Sequence, residues 1–296
     1  MRLATFRRGG TRSVGVVDTD GRRVVPVGAA LNGASQEMLT LIERFDDVRA
    51  SLAKAASNGE SVDLAEVQLE APIPRPARNV MCVGKNYYEH AREFGNSGFD
   101  SSVAANGDTI PTAPIIFTKV PESVTADGTA IRFPEGVSDA LDYEAELAVV
   151  IGRGGRGISR ADAIAHVFGY TIINDVTARD WQGRHKQWFL GKSFDTFCPM
   201  GPWIVTADEI DVTDLRVRAW VNDELRQDAN TRDLIFDVPT LIETISAGIT
   251  LYPGDVIATG TPVGVGIGFN PPKYLRRGDR VRIEISNIGS LTNTVG

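Results

Sequence analysis

The chain has few of the residues that mark several common classes of protein. Only two cysteines, Cys82 and Cys198, occur in 296 residues. Their spacing matches no metal or redox motif, so we expect two buried free thiols. No apolar run approaches the ~20 residues of a membrane-spanning helix. The formal charge of −7 provides no basic excess, and we therefore expect neither a nucleic acid nor a membrane as partner.

The composition is that of an ordinary globular protein, with 42% hydrophobic and 23% charged residues. The N-terminus is rich in arginine, a feature shared with transit peptides. However, its alternating apolar residues and the turn sequences at 8–10 and 18–21 favour short paired strands. No secretory signal is recognisable, and we expect a cytoplasmic protein.

A helix is predicted after these strands, beginning near Ser35 and ending at Asn58-Gly59. Its apolar residues form one stripe: Met38, Leu39, Leu41, Ile42, Phe45, Val48 and Leu52. Residues 71–77 then contain three prolines in five positions, which favours a stiff extended connector. We place a domain boundary there, with a small N-terminal α/β domain over 1–77 and the main domain over 78–296.

The main domain is predicted to be rich in strands, over residues 114–119, 144–151, 169–174, 203–206, 216–221, 255–259 and 280–285. Helices are expected only at 160–167 and 237–247. This proportion indicates an α+β protein with a strand-rich roll or barrel, not a repeating βαβ pattern. Residues 94–113 are rich in Gly, Ser, Asn and Asp and lack periodicity, so we interpret them as a disordered segment or a functional lid.

Three acidic residues follow a pattern that suggests a metal site. Glu144 and Glu146 lie two positions apart at the start of an apolar strand, so their side chains share a face. Asp175 ends the next predicted strand. Like charges near a core are unfavourable without a cation between them, and an oxygen-only set suits Mg²⁺, Mn²⁺ or Ca²⁺. The alternative is that both glutamates lie on a solvated face.

His90 is one of only three histidines. In a helical turn, His90 and Glu93 would share a face, and the carboxylate would raise the basicity of the imidazole, as a general base requires. The alternative is an ordinary surface pair. We expect His166 to be packed in the core and His185 to face solvent.

Lys192 follows three apolar residues, and two interpretations of it stay open. A lysine held in such a pocket could neutralise an anionic substrate or a developing enolate. The alternative is a surface lysine whose stem covers apolar neighbours.

Residues 152–157 (GRGGRG) satisfy the glycine spacing of a dinucleotide-binding fingerprint, and they follow a predicted strand. The preceding strand carries two glutamates and no βαβ repetition flanks it, so we favour a simple glycine turn. The oxidoreductase alternative predicts nicotinamide binding.

As a set, the motifs resemble the fumarylacetoacetate hydrolase family. The matching segments occur in the family's order over roughly residues 80–295: GKNY with His90, PIIFTK (114–119), YEAEL (143–147), NDVTARD (174–180) with Gln182, GKSFD (191–195), PGD (253–255) and TGTPVGVG (259–266). Each segment is unremarkable, but the ordered series is specific. The resemblance implies the family's α+β catalytic fold, with the N-terminal unit as a leader domain outside the chemistry.

The resemblance also implies site roles, a cofactor and a reaction. It assigns metal binding to Glu144, Glu146 and Asp175, the catalytic groups to His90, Glu93 and Lys192, and substrate contacts to Gln182 and Thr261. The cofactor would be Mg²⁺ or Mn²⁺, with Ca²⁺ possible in a crystal, and the assembly a homodimer. We expect first the hydrolysis of a carbon–carbon bond in a small 2,4-dioxo acid such as an acylpyruvate. Decarboxylation of oxaloacetate or isomerisation is second, and a non-catalytic binding protein is a remote alternative.

Overall fold

The computed structural model describes residues 1–18, 22–28, 37–95 and 109–296. It begins with a hairpin whose strands β1 (Arg2–Arg8) and β2 (Thr11–Val17) are joined by Gly9-Gly10. Both glycines have positive φ, 55° and 83°, as the tightest hairpin turns require. This confirms the paired N-terminal strands.

The remaining elements follow in chain order. The strands are β3 (Arg23–Pro26), β4 (Val62–Asp63), β5 (Gln68–Leu69), β6 (Val80–Gly84), β7 (Ile115–Lys119), β8 (Val124–Thr125), β9 (Leu141–Asp142), β10 (Ala145–Ile151), β11 (Val167–Asn174), β12 (Thr177–Ala178), β13 (Cys198–Thr206), β14 (Arg216–Val221), β15 (Glu224–Asn230), β16 (Val256–Ala258), β17 (Arg280–Ile285) and β18 (Gly289–Thr294). The α-helices are α1 (Met38–Glu43), α2 (Phe45–Asn58), α3 (Tyr88–Gly95), α4 (Arg179–His185), α5 (Phe189–Lys192) and α6 (Val238–Ser246).

One large sheet organises the molecule, in the order β4-β3-β2-β1-β13-β11-β10-β16-β6-β7. A second sheet, in the order β15-β14-β17-β18, packs against its centre, and a small β9–β12 pair lies beside the site. Few helices accompany these sheets in the described residues, so the predicted α+β fold is confirmed. The predicted boundary near residue 77 falls between β5 and β6. However, β1 pairs with β13 across it, and the division into two domains stays a prediction.

The alternation of side chains along β10 explains how the core and the site coexist. Leu147, Val149 and Ile151 face the core shared with the second sheet. Ala148 and Val150 point to the opposite face, toward the core shared with the N-terminal helices. Glu146 follows the same alternation and lies on the second face. A fully buried strand therefore brings a carboxylate into the interior.

Two helix predictions need correction. The single helix expected to end at Asn58-Gly59 is divided at Arg44 into α1 and α2, which allows Phe45 to pack edge-on against Phe168 with ring centroids 4.9 Å apart. The expected start near Ser35 lies outside the described residues, as do residues 96–108 of the expected lid.

The helix expected at 160–167 is only a 3₁₀ turn, Ala163–His166, because the chain must enter β11 at Val167. His166 is therefore not packed in the core. It is half-buried, with Nδ1 2.7 Å from the carbonyl oxygen of Arg153. Other expectations hold: His185 is exposed and both cysteines are buried and free. Among the described residues, no helix is both long and apolar enough to cross a membrane.

The central strands should dominate stability. Ile172 in β11 is fully buried, so Ile172→Ala should lower the free energy of unfolding by about 2–5 kcal/mol, through lost burial and the cavity left behind. Ile164 is 42% exposed, and Ile164→Ala should cost about 0.5 kcal/mol or less. Urea denaturation of both variants measures this difference. Equal losses would contradict the placement of the core.

Candidate active site

Three acidic side chains meet at one end of the central β10–β11 pair. Glu144 directly precedes β10, Glu146 lies within it, and Asp175 directly follows β11. The antiparallel ladder continues past the strands, since the Asp175 amide donates to the carbonyl of Glu144 at 2.9 Å. One carboxylate oxygen from each residue lies within 4.8 Å of the others. The three residues are at most 5% exposed, so the alternative of a solvated face does not hold.

Basic side chains surround these acids. The Lys192 ammonium group lies 2.8 Å from Glu144 Oε2 and 2.8 Å from Asp175 Oδ2. Lys119 donates to Asp175 Oδ1 at 2.6 Å, and Arg179 lies 2.7 Å from Glu144 Oε1. Lys192 is thus buried, not a surface lysine. Lys119 and Arg179 were missed as site residues because a family-like segment alone does not reveal which charges meet in space.

The surrounding charges shift the pKa values of Glu144 and Glu146 in opposite directions. Burial disfavours the charged form of Glu144, but Lys192 and Arg179 outweigh it and lower its pKa to about 2. Burial, together with the nearby Asp175 and Glu144 carboxylates, raises the pKa of Glu146 well above its ordinary value. The protein's own cations therefore compensate Glu144 but leave Glu146 without enough positive charge nearby.

This donor set fits a divalent cation. Three carboxylates converge, no sulfur or imidazole donor belongs to the described cluster, and hard oxygen donors suit Mg²⁺, Mn²⁺ or Ca²⁺. The raised pKa of Glu146 supports the same conclusion, because a cation would compensate the carboxylate whose charge the interior disfavours.

His90 and Glu93 share one face of α3, as the i,i+3 spacing predicts. His90 Nδ1 lies 3.1 Å from Glu93 Oε2, and His90 is 4% exposed. Glu93 in turn accepts a hydrogen bond from the Gly264 amide at 3.1 Å. The carboxylate favours the tautomer protonated at Nδ1 and leaves Nε2 as the basic nitrogen.

A single small pocket brings the remaining sequence candidates together. Its lining includes His90, Glu144, Gln182, Lys192 and Thr261, and its volume is about 10 Å³, room for about one water molecule.

Two neighbours orient the polar groups of this pocket. Arg179 Nη1 donates to Gln182 Oε1 at 3.0 Å, so the amide group of Gln182 keeps its N–H donors for other partners. Gln227 Nε2 donates to Thr261 Oγ1 at 2.8 Å, which leaves the hydroxyl proton of Thr261 available as a donor.

Asp142 connects the two halves of the site and was not anticipated. Its fully buried carboxylate accepts from the amides of Gly266 at 2.6 Å and Ile267 at 3.0 Å, and from Arg179 Nε at 2.8 Å. The same loop donates the Gly264 amide to Glu93. Asp142 therefore links the segment behind the histidine to the arginine behind the acids.

The glycine sequence at 152–157 is a turn. The amides of Gly152, Gly155 and Gly157 donate to main-chain carbonyls at 2.8, 3.0 and 2.7 Å. A dinucleotide fingerprint directs such amides at a pyrophosphate, so this pairing favours the glycine-turn interpretation.

Comparison with known proteins agrees with this geometry. The family model "Fumarylacetoacetate (FAA) hydrolase C-terminal" matches residues 79–296, and "Rv2993c-like, N-terminal" matches residues 1–72. Oxaloacetate tautomerase YisK of Bacillus subtilis is 53% identical over 234 residues, which cover 79% of this chain and 74% of that protein.

Two solved structures resemble the whole chain. Fumarylacetoacetate hydrolase of Exiguobacterium antarcticum has a TM-score of 0.86 and 40% identity, covering 100% of this chain and 99% of that one. Maleylpyruvate hydrolase of Sphingobium sp. SYK-6, solved with manganese(II) and pyruvate, has a TM-score of 0.79 and 36% identity, covering 100% and 98%. The chain belongs to the fumarylacetoacetate hydrolase family and is an enzyme of that family.

The acidic cluster predicts that a divalent cation stabilises the fold. Mn²⁺ at a hundredfold excess over its Kd should add about 2.7 kcal/mol to the free energy of unfolding, through mass action. Glu146→Gln removes one anionic donor and should abolish most of this gain. Glu60 is exposed, so Glu60→Gln serves as the control and should retain the stabilisation by Mn²⁺. Thermal unfolding with Mn²⁺ or EDTA measures the effect, and a wild-type melting temperature unchanged by Mn²⁺ would contradict the site.

A pH dependence follows for the metal-free protein. Because the pKa of Glu146 is raised above its ordinary value of 4.5, the folded state retains a proton that the unfolded chain releases. This contribution to stability is fully present below about pH 4.5 and is lost as pH rises through the folded pKa. In EDTA, wild type and Glu60→Gln should lose more unfolding free energy between pH 5 and pH 8 than Glu146→Gln. Urea denaturation at both pH values measures these changes. Equal changes in unfolding free energy for all three proteins would exclude this assignment.

Proposed function

We propose that the protein is a divalent-metal-dependent enzyme that interconverts the keto and enol forms of a small 2-oxo acid, with oxaloacetate as the leading candidate. The observation that carries the proposal is that His90, paired with Glu93, lines the same small pocket as Glu144 of the three-carboxylate cluster. The 53% identity to a protein named as an oxaloacetate tautomerase supports this choice of reaction.

Glu144, Glu146 and Asp175 would hold the cation. When bound, a divalent cation would withdraw electron density from the 2-oxo group and make the adjacent C3–H bond more acidic. Lys192, now shared between Glu144 and Asp175, would contribute positive charge as negative charge develops on the 2-oxo oxygen. Both effects act among buried side chains, where electrostatic interactions are stronger than in water.

His90 would carry the proton. In the keto-to-enol direction, Nε2 takes the proton from C3, the electron pair of the C–H bond forms the C2–C3 double bond, and the C2–O π pair moves onto the oxygen. That oxygen takes a proton from the Lys192 ammonium group, and exchange with water after product release returns the lysine and the imidazole to their starting protonation states. The reverse reaction returns a proton to C3. Glu93 keeps the imidazole in the required tautomer and stabilises its protonated form.

Gln182 and Thr261 would orient the substrate. Each is oriented by a partner that engages its acceptor atom, Arg179 for Gln182 and Gln227 for Thr261. Their free donors suit the anionic oxygens of a 2-oxo acid.

Hydrolysis of an acylpyruvate is the second candidate function. The same groups would serve it if Nε2 of His90 activated a water molecule for attack on the distal carbonyl instead of removing the C3 proton. The structural similarity to a maleylpyruvate hydrolase holding manganese(II) and pyruvate supports this alternative.

The test follows the decay of enol absorbance with Mg²⁺, Mn²⁺ or EDTA, for oxaloacetate and for fumarylpyruvate, with pyruvate measured in parallel. We expect metal-dependent ketonisation of enol-oxaloacetate without release of pyruvate. Pyruvate formed from fumarylpyruvate would establish the hydrolase, and pyruvate formed from oxaloacetate would indicate a decarboxylase. No turnover of either acid with metal present would contradict both candidates.

His90→Gln should reduce the tautomerisation rate by about 10²- to 10⁴-fold, the usual contribution of a general base, with little change in metal affinity. His185 is exposed, and His185→Gln serves as the matched control with a rate near that of wild type. Enol decay for the rate and Mn²⁺ titration for the affinity separate the two properties. A His90→Gln enzyme as fast as wild type would exclude the proton-transfer role.

A further inference from the structure

Tyr143 lies in the short break between β9 and β10, between two acidic residues of the site. Asp142 ends β9 and Glu144 directly precedes β10. Tyr143 is fully buried, and its hydroxyl group donates a hydrogen bond of 2.7 Å to the carbonyl oxygen of Gly264, 121 residues further along the chain. This bond fixes the position of Gly264 relative to the start of β10, because a buried carbonyl that loses its partner is costly.

Gly264 is constrained on more than one side. Its φ of 102° lies in the region that favours glycine, and a Cβ at this position would lie 1.9 Å from the carbonyl oxygen of Arg226. Its own amide donates to the carboxylate of Glu93, 3.1 Å from Oε1 and 3.3 Å from Oε2. A displacement of Gly264 would therefore move the donor that orients Glu93.

The loop 264–268 meets Glu93 a second time at Gly268. A Cβ at Gly268 would lie 1.9 Å from Glu93 Oε1, so the backbone there lies directly against the carboxylate. Between the two glycines, the carboxylate of Asp142 accepts from two amides of the loop at 2.6 and 3.0 Å. The loop thus packs against Glu93 and is anchored by Asp142 and Tyr143.

Of these two anchors, Tyr143 acts on the residue that contacts Glu93. Its hydroxyl group binds Gly264 itself, whereas Asp142 binds amides two and three residues later. Glu93 in turn lies 3.1 Å from Nδ1 of His90. The orientation of the imidazole therefore depends on Tyr143 through only two intervening residues.

We propose that Tyr143 is a positioning residue for the His90–Glu93 pair: through Gly264 it holds Glu93 where its carboxylate keeps the imidazole proton on Nδ1. Tyr143 is not among the described residues that line the small pocket, so it acts through Glu93 and not on the substrate. The catalytic consequence rests on the proposed function, because it requires Nε2 of His90 to be the base. The effect on the tautomer does not.

The first measurement determines the tautomer and needs no turnover. The chain has three histidines, so protein labelled with ¹⁵N in histidine gives three sets of ring signals, and His90→Gln assigns those of His90. Long-range ¹H–¹⁵N correlation spectra with Mg²⁺, at about pH 8, above the ordinary histidine pKa of about 6.5, distinguish the two ring nitrogens. Wild type should show His90 protonated at Nδ1.

Tyr143→Phe removes one oxygen atom and leaves the ring in place, so the variant should fold. Its His90 signals should move toward a mixture of tautomers, in the direction of those of Glu93→Gln, because the carboxylate is no longer held against Nδ1. The signals of His166, whose Nδ1 lies 2.7 Å from the carbonyl oxygen of Arg153, should not move and serve as an internal reference.

The second measurement is the ketonisation of enol-oxaloacetate with Mg²⁺. Tyr143→Phe should lower kcat about tenfold, because small displacements of reacting groups cost much rate. KM should change by less than about twofold, since the groups that bind the substrate are retained. Tyr170 is a second buried tyrosine, in β11, and Tyr170→Phe is the matched control, with the kcat and His90 signals of wild type.

The outcomes separate the proposal from the function on which it rests. His90 signals of Tyr143→Phe that coincide with those of wild type would overturn the positioning role, as would the same shift in Tyr170→Phe. Shifted signals with an unchanged kcat would overturn its importance for the reaction. A wild-type protein that does not accelerate ketonisation would overturn the proposed function, and the spectra would still decide whether Tyr143 orients the pair.

Discussion

Charge compensation in a dry interior is the constraint on which the site depends. Four carboxylates and three basic side chains meet beside the central strands: Asp142, Glu144, Glu146, Asp175, Lys119, Lys192 and Arg179. An uncompensated buried charge costs several kcal/mol, so each member must have partners. Glu146, whose pKa is raised, is the member that the protein's own cations compensate least. A divalent cation would complete the balance.

The same network joins the His90–Glu93 pair, the proposed base, to the acids. Asp142 contacts Arg179 on one side and the loop at Gly266 on the other, and the Gly264 amide in that loop holds Glu93. Proton transfer needs the imidazole and the acidic cluster at a fixed separation, because small displacements of reacting groups cost much rate. Main-chain amides and a buried carboxylate provide a rigid connection of this kind.

The chain is similar both to a protein named as an oxaloacetate tautomerase and to one named as a maleylpyruvate hydrolase, and the two reactions have a common chemical requirement. Both reactions need an electron-withdrawing cation, a base and positive charge for an enolate-like state. They differ in what the base deprotonates, carbon in one case and water in the other. Pocket size and substrate contacts, more than the identity of the buried groups, would then separate the functions.

The sequence by itself determined the family and the main strands of the larger predicted domain. Alternation along residues 144–151 and the spacing of His90 and Glu93 are local properties, since strand and helix periods fix which side chains share a face. The break at Arg44, the half-buried His166 and the network of Lys119, Arg179 and Asp142 were decided only by the tertiary structure. These features depend on contacts between residues far apart in the chain. Burial and pairing, which determine the protonation of a group such as Glu146, arise only when those residues meet.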